Sequence, residues 1–381
     1  VPARSASPGE RRLPLPRAGG IFRRMLISLL VATGLQIPTA ALDSTVSAAA
    51  ATGFSGVVMA APLTGPRDAP AAYARAVGTN PRTGRALTVG DTWRWASVTK
   101  QLTAALVLQH VAAGRLTLDA TLATVLPGVA LPNADRITVR MLLQHTSGLA
   151  DPDDGAGDAL PALYRGPLRD DADAVALRTA CAAPPRATPG AGFHYTNCDY
   201  FALGALLTRL EGRPYAAVVR ARLAAPLGRA GLRVLTTAVR PDVGGRDADG
   251  REEPRFVLAT YGASAAIVGT AQDLLVVDRA LAAGAIVPRP WLDTLWRGEP
   301  ALGYAALGAW SYTVPLAGCA APVRLVERRG AIGGVQVRNV IAPDADRALI
   351  VFTNAARTDF GEVWQGRGLL HDLLAAALCR R

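Results

Sequence analysis

Lysine is almost missing from this chain: of 41 basic residues among 381, Lys100 is the only lysine and the other forty are arginine. Aromatic residues make up only 6%. No run of about 18 uninterrupted apolar residues occurs, which argues against a helical membrane protein and leaves an uncleaved N-terminal anchor as the one alternative of that kind. Glycine (38) and proline (27) are scattered without a period, so a collagen-like or repeat architecture is excluded. The four cysteines form no C-x-x-C or Cys/His spacing that would hold zinc. No G-x-S-x-G occurs, which removes the nucleophile-elbow hydrolases. What is present is a chain with 50% apolar and 19% charged residues, long enough for one large core or two domains.

The net charge of +11 raises nucleic-acid binding as a class. Its distribution argues against it. Up to Ala41 the chain carries six arginines against Glu10, hence +5, and the other +6 is spread thinly with no basic block interleaved with aromatics. The N-terminal charge has another reading. Arg23 and Arg24 precede the apolar stretch Met25 to Ile37, followed by Pro38 and small residues at Thr39 to Ala41 and Ser47 to Ala51. Those are the three parts of a secretory signal peptide. Residues 1–41 are therefore expected to be a signal peptide and N-terminal extension, with the mature chain starting between Ala41 and Thr52. The main domain then spans 53–381 of a periplasmic or secreted protein with no stable membrane span. In such a compartment Cys181, Cys198, Cys319 and Cys379 allow three disulfide pairings. Cys181 with Cys198 would close a short Pro/Gly-rich loop, and buried free thiols are the alternative.

Phe54 to Ala60 reads as a strand, and Ser97 to Ala113 as a buried helix with Ser97 at its N-cap and Gly114 as its stop. From about 116 to 254, helical stretches alternate with loops, of which Asp151 to Asp173 is the most loop-like. Val139 to His145, Tyr200 to Glu211, Tyr215 to Ala224 and Thr270 to Ala283 read as helices. Val323 to Glu327, Val335 to Ala342 and Arg347 to Thr353 read as strands before a closing helix from about Glu362 to Leu378. The expected class is α/β (α+β), with a sheet built from both termini, flanking helices and an inserted helical region.

Ser97-Val98-Thr99-Lys100 is an S-x-x-K on the first turn of the buried helix. Residues three apart share a helix face, so hydroxyl and amine lie within reach. A serine hydroxyl needs a base, and burial lowers a lysine's pKa enough to make it one. A guanidinium does not deprotonate near neutral pH, so this is the position where arginine could not substitute. Tyr195-Thr196-Asn197, after Pro189-Gly190, adds a phenol that can shuttle a proton and an amide that can hold a carbonyl.

With Trp95 to Lys100, Gly114-Arg115-Leu116-Thr117-Leu118-Asp119, Leu142 to Leu149 (LLQHTSGL) and Tyr195-Thr196-Asn197 in this order, the chain resembles the serine β-lactamase family. More narrowly it resembles the class C branch, which also contains D-alanyl-D-alanine carboxypeptidases, D-amino-acid peptidases and carboxylic esterases. The resemblance implies the β-lactamase/DD-peptidase fold and no metal or cofactor. It implies Ser97 as acylated nucleophile, Lys100 as proton acceptor, Tyr195 as acid/base and Asn197 as substrate ligand. The family's third element, K-T-G or H-x-G, corresponds to Arg328-Arg329-Gly330, with the Ala331 N–H pairing with that of Ser97 as the oxyanion hole. Arg328 keeps the positive charge, whereas Arg329 stands where a small residue is usual and is a candidate to obstruct the pocket. His145, His110, His194 and His371 are expected to be structural, Glu252-Glu253 to be a solvated loop, and Asp273 to support the first turn of its helix. The function expected is acyl-enzyme hydrolysis of a small molecule or short peptide, either a D-amino-acid peptide or a β-lactam. A carboxylic esterase, or a catalytically weak binding protein, is the alternative.

Overall fold

The structure is a computed structural model, and it describes residues 37–154, 160–167, 171–236, 241–253 and 255–379. Nearly all of the expected signal peptide lies outside these residues. In the small-residue run behind it, Thr39–Ala51 form a helix, α1, with Leu42 and Val46 fully buried. A mature chain that starts at Ala41 or Leu42 keeps both buried residues, whereas a start after Val46 loses both.

Six antiparallel strands form the main sheet in the order β2-β1-β9-β8-β7-β6. They are β1 (Gly56–Pro62), β2 (Tyr73–Val77), β6 (Trp310–Val314), β7 (Val323–Ile332), β8 (Val335–Ala342) and β9 (Arg347–Thr353). Because β1 pairs with β9, the sheet is assembled from both ends of the chain, as the sequence pattern implies. Two-residue β3 (Trp93–Arg94) and β4 (Arg233–Val234) pair with β5 (Ile267–Gly269) in a second, small sheet.

Strand alternation sorts the side chains onto two faces. Val58, Val340, Leu349 and Val351 pack with α1 and the C-terminal helix α5 (Leu369–Leu378). Val57, Val337, Ile350 and Phe352 pack on the larger core, which contains α2 (Thr99–Ala112), α3 (Asn197–Glu211) and α4 (Ala271–Ala282). Twelve of the fourteen residues of α2 are buried, which is why its sequence shows no polar face. Thr196 caps α3 by accepting from the Cys198 N–H. Thr270 and Asp273 form a reciprocal capping box on α4, the support expected of Asp273.

Two disulfides close the framework, Cys181–Cys198 and Cys319–Cys379. The first ties the start of α3 to the segment after helix Ala172–Arg178. The second fastens the end of α5 to the loop between β6 and β7. Among the described residues no helix is long and apolar enough to cross a membrane.

Candidate active site

Ser97 does not cap α2. It sits in the 3₁₀ turn Ala96–Val98 that feeds the helix, and its hydroxyl is turned to two other groups. Ser97 Oγ lies 2.7 Å from the Tyr195 phenol oxygen and accepts from Lys100 Nζ at 3.2 Å. Ala96 just before it has φ +47°, a left-handed conformation that a non-glycine residue adopts only under constraint.

Lys100 is fully buried, and its three acceptors are all uncharged: Ser97 Oγ, Asn197 Oδ1 at 2.8 Å and the Ser264 carbonyl at 3.0 Å. Burial drives its pKa below the ordinary lysine value; Tyr195 opposes that shift and the Arg328 cation adds to it. Burial alone would raise the Tyr195 phenol, but the Lys100 and Arg328 charges outweigh it and bring its pKa below the usual tyrosine value. Arg328 donates from Nη2 to the Tyr195 oxygen at 3.1 Å and from Nε to the Ser97 carbonyl at 2.8 Å. Its expected role as a substrate contact is thus joined by a second one, holding the phenol and the nucleophile's backbone.

Asn197, expected to hold substrate, has both ends of its amide in use. Oδ1 accepts from Lys100, and Nδ2 donates to the Tyr164 hydroxyl at 3.0 Å. Its N–H donates to the buried Asp151 carboxylate. Tyr164 in turn stacks on Tyr261 with ring centroids 3.8 Å apart. No motif marks Tyr164, Tyr261 or Ser264 in the sequence. They reach the site from segments of unremarkable composition.

Gly330 meets its expectation: a Cβ there would lie 2.6 Å from the Trp95 carbonyl and 2.9 Å from the Ser97 nitrogen. That contact sets β7 directly against the nucleophile's backbone, with Ala331 next to it and exposed. Arg329 does border the cleft over Ser97, as the expectation that it obstructs the pocket requires, but its guanidinium is held away from the serine. Alternation along β7 points Arg328 at Ser97 and Arg329 at the opposite face, where it pairs with Glu327 at 2.7 Å and Glu362 at 2.8 Å.

A cleft of about 480 Å³ opens over Ser97, walled by Phe193, Tyr195, Tyr261 and Trp310 and bordered by Asp153 and Arg338. The segment 151–173 is held at its start, where Asp151 accepts from Asn197; helix Ala162–Arg165 lies within it and helix Ala172–Arg178 begins at its end. Asp153 carries no ion pair among the described residues, and burial, with Asp151 beside it, pushes its pKa up to about 6.

His145 is buried beneath the phenol, its ring 4.4 Å from that of Tyr195 and its Nδ1 2.9 Å from Asp199 Oδ2. Burial, reinforced by Arg328 and Lys100, holds its pKa well below the ordinary histidine value. It braces Tyr195 and makes no contact with Ser97, in keeping with a structural role. His110 is buried against Glu211 at 3.2 Å, His371 contacts Asp372, and His194 is exposed. The solvated-loop reading of Glu252-Glu253 holds for Glu252 alone. The Glu253 side chain is buried in an ion pair with Arg94.

A serine whose hydroxyl touches both a buried lysine and a phenol, beside a strand pressed onto its own N–H, defines a serine hydrolase. The Beta-lactamase family model matches residues 42–371, and the chain belongs to that family. It is 36% identical over 149 residues to penicillin-binding protein 4 of Amycolatopsis lactamdurans (38% of this chain, 37% of that one). To esterase EstB of Burkholderia gladioli it is 39% identical over 165 residues (41% of this chain, 42% of that one). The matched stretch thus spans about two fifths of either relative's length. Among solved structures, a D-stereospecific amidohydrolase from Streptomyces sp. is 25% identical with TM-score 0.69, covering 90% of this chain and 98% of that one. The D-amino acid amidase of Ochrobactrum anthropi SV3 shares the fold at TM-score 0.74 and 22% identity, covering 89% of this chain and 98% of that one.

Proposed function

We propose that this is an exported serine hydrolase that works through an acyl-enzyme on Ser97 and acts on D-amino-acid peptides or amides. The observation that carries the mechanism is Lys100, fully buried and touching Ser97 Oγ with no charged acceptor to hold its proton. Neutral Lys100 accepts the Ser97 proton, directly or through Tyr195. Ser97 Oγ bonds to the substrate carbonyl carbon, and the oxyanion is received by the N–H groups of Ser97 and Ala331. Tyr195 donates a proton to the departing nitrogen or oxygen as its bond to carbon breaks, and Lys100 returns its proton to Tyr195, which restores the neutral base. Water then repeats the sequence on the acyl-Ser97 ester and releases the acid.

The substrate class rests on two supports. Asp153 places a carboxylate without a cation partner at the edge of a cleft walled by aromatic rings, which suits a substrate bearing a free ammonium and an apolar side chain. The Streptomyces relative named for D-stereospecific amide hydrolysis aligns over nearly the whole chain. Two disulfides suit an oxidising compartment and support export. A β-lactam is a second amide this machinery would open, in keeping with the likeness to a penicillin-binding protein. Carboxylic ester hydrolysis is the other reading, favoured by the likeness to esterase EstB.

Intact-mass spectrometry of the wild type and Ser97→Ala after incubation with a penicillin, a fluorophosphonate and a p-nitrophenyl ester tests the mechanism, with D- and L-amino-acid amides assayed alongside. Adducts that vanish in Ser97→Ala, with turnover of D-amides over L-amides, are expected. Ester turnover without amide turnover would select the esterase, and a folded protein with neither adduct nor turnover would end the hydrolase reading. N-terminal sequencing of protein recovered outside the cytoplasm of an expressing host tests export.

A further inference from the structure

The oxyanion hole of the proposed mechanism takes its two N–H groups from segments far apart in sequence. Ser97 follows β3, and Ala331 lies near the tip of the β7–β8 hairpin. That tip is weakly held by its own sheet. The pairing of β6 with β7 begins at Glu327, so the five residues after it, through Ile332, have β8 alone as a strand neighbour. Arg328 and Gly330 hold the β7 side of the tip against the Ser97 backbone, and the turn beyond Ala331 has its own anchor.

Glu253 spans the two parts. Its Oε2 accepts the Gly334 N–H at 2.8 Å, at the hairpin turn three residues past Ala331. The same oxygen pairs with Nη2 of Arg94, three residues before Ser97. Both side chains are buried, at 6% and 3% exposure, and the Arg94 guanidinium also lies 4.9 Å over the Phe256 ring. Room for the carboxylate is made by glycines: a Cβ on Gly245 would come within 2.4 Å of Glu253 Oε2, and one on Gly333 within 2.5 Å. A buried carboxylate that joins a charged side chain from one segment to a backbone N–H of another defines a distance between them.

We infer that Glu253 is a positioning residue that sets the gap between the Ser97 and Ala331 N–H groups by clamping the β7–β8 turn to Arg94. It touches no substrate and transfers no proton. Its effect falls on the transition state, where the oxyanion forms. This rests on the acyl-enzyme reading above.

The test compares wild type with Glu253→Asp, Glu253→Gln and Glu253→Ala, using a p-nitrophenyl ester at a temperature well below each variant's Tm. Asp is one methylene too short to reach both partners, whereas Gln keeps an acceptor for Gly334 and loses only the charge. The expected result for Asp and Ala is a fall in kcat of about 10- to 100-fold with KM changed less than threefold, because one oxyanion donor is worth roughly 10²–10³ when lost outright. Inhibition by a boronic acid, whose tetrahedral anion fills the oxyanion hole, weakens by the same factor, and Gln recovers most of both losses. Should Glu253→Ala fail to fold, Asp and Gln carry the comparison. A lower Tm with unchanged kcat and unchanged boronic acid affinity would reduce Glu253 to a stabilising residue and overturn the inference. The Ser97→Ala control keeps the two claims apart: a wild type that forms no Ser97 adduct refutes the mechanism, whereas an active wild type matched by its Glu253→Asp variant refutes only the clamp.

Discussion

Replacing Lys100 by methionine separates the cost of catalysis from the cost of folding. Methionine has a similar length and no base. Two acceptors lose their donor, Asn197 Oδ1 and the Ser264 carbonyl, at about 1–3 kcal/mol each for a buried unsatisfied group. Against this, the substitution removes a fully buried amine whose charged form is penalised by desolvation, a term of several kcal/mol with the opposite sign. The two offset, so Tm is expected to move by only a few degrees. Activity has no such compensation: without its base, Ser97 should lose about 10²–10⁴ in kcat/KM, roughly 3–5 kcal/mol of barrier. The wild-type rate also carries a pH signature. The base must be neutral, so kcat/KM rises with pH through a lysine pKa that burial holds below its ordinary value, and this limb is absent from Lys100→Met. Stopped-flow acylation by a p-nitrophenyl ester from pH 5 to 10, with a melting curve for each protein, measures both. A variant within tenfold of wild type that still acylates Ser97 would refute the assignment of Lys100 as the base.

Asp153→Asn should lower kcat/KM for a free-amine substrate while sparing a neutral ester. In the wild type, activity on the amine should climb as the carboxylate ionises through about pH 6, a step the variant lacks. Asp278 is fully buried and accepts from Asn339 Nδ2 at 2.9 Å, and burial pushes its pKa up to about 8. The folded state therefore holds this proton more tightly than the unfolded chain, so thermal stability should decline as pH rises from about 4 to 8, and Asp278→Asn should flatten that decline. Gly330→Ala would force a Cβ onto the Trp95 and Ser97 backbones, and a loss of at least tenfold in kcat with intact fold by circular dichroism is expected. Replacing Cys181 and Cys198 together by alanine should cost about 2–4 kcal/mol in denaturant unfolding, given the 17-residue separation.

The nucleophile and its base were readable because the period of a helix puts residues three apart on one face, and because a lone lysine among arginines marks a site that needs deprotonation. Strands β8 and β9 were bounded to the residue by their β-branched runs. Strand β2 escaped notice because it is a half-exposed edge strand with Arg75 and two alanines in five residues. Helix α1 was hidden because alanine and serine serve a cleavage zone and a helix packed on a sheet equally well. Arg329 is instructive, since period-two alternation from Arg328 already assigns it to the other face. Glu253 shows the opposite case. Nothing local separates it from Glu252, and only the tertiary approach of Arg94 and Gly334 decides which carboxylate is buried.

A sheet whose middle strands come from the last third of the chain, while the nucleophile comes from the first, also sets when chemistry can begin. As the polypeptide emerges from the ribosome, Ser97 and Lys100 appear some 230 residues before Gly330 and Ala331. Until β7, β8 and β9 have been made and zipped onto β1, the serine has a neighbouring amine but no wall to receive the oxyanion. On the proposed mechanism, hydrolysis therefore waits until the sheet is complete, a delay that follows from the order of its strands along the chain.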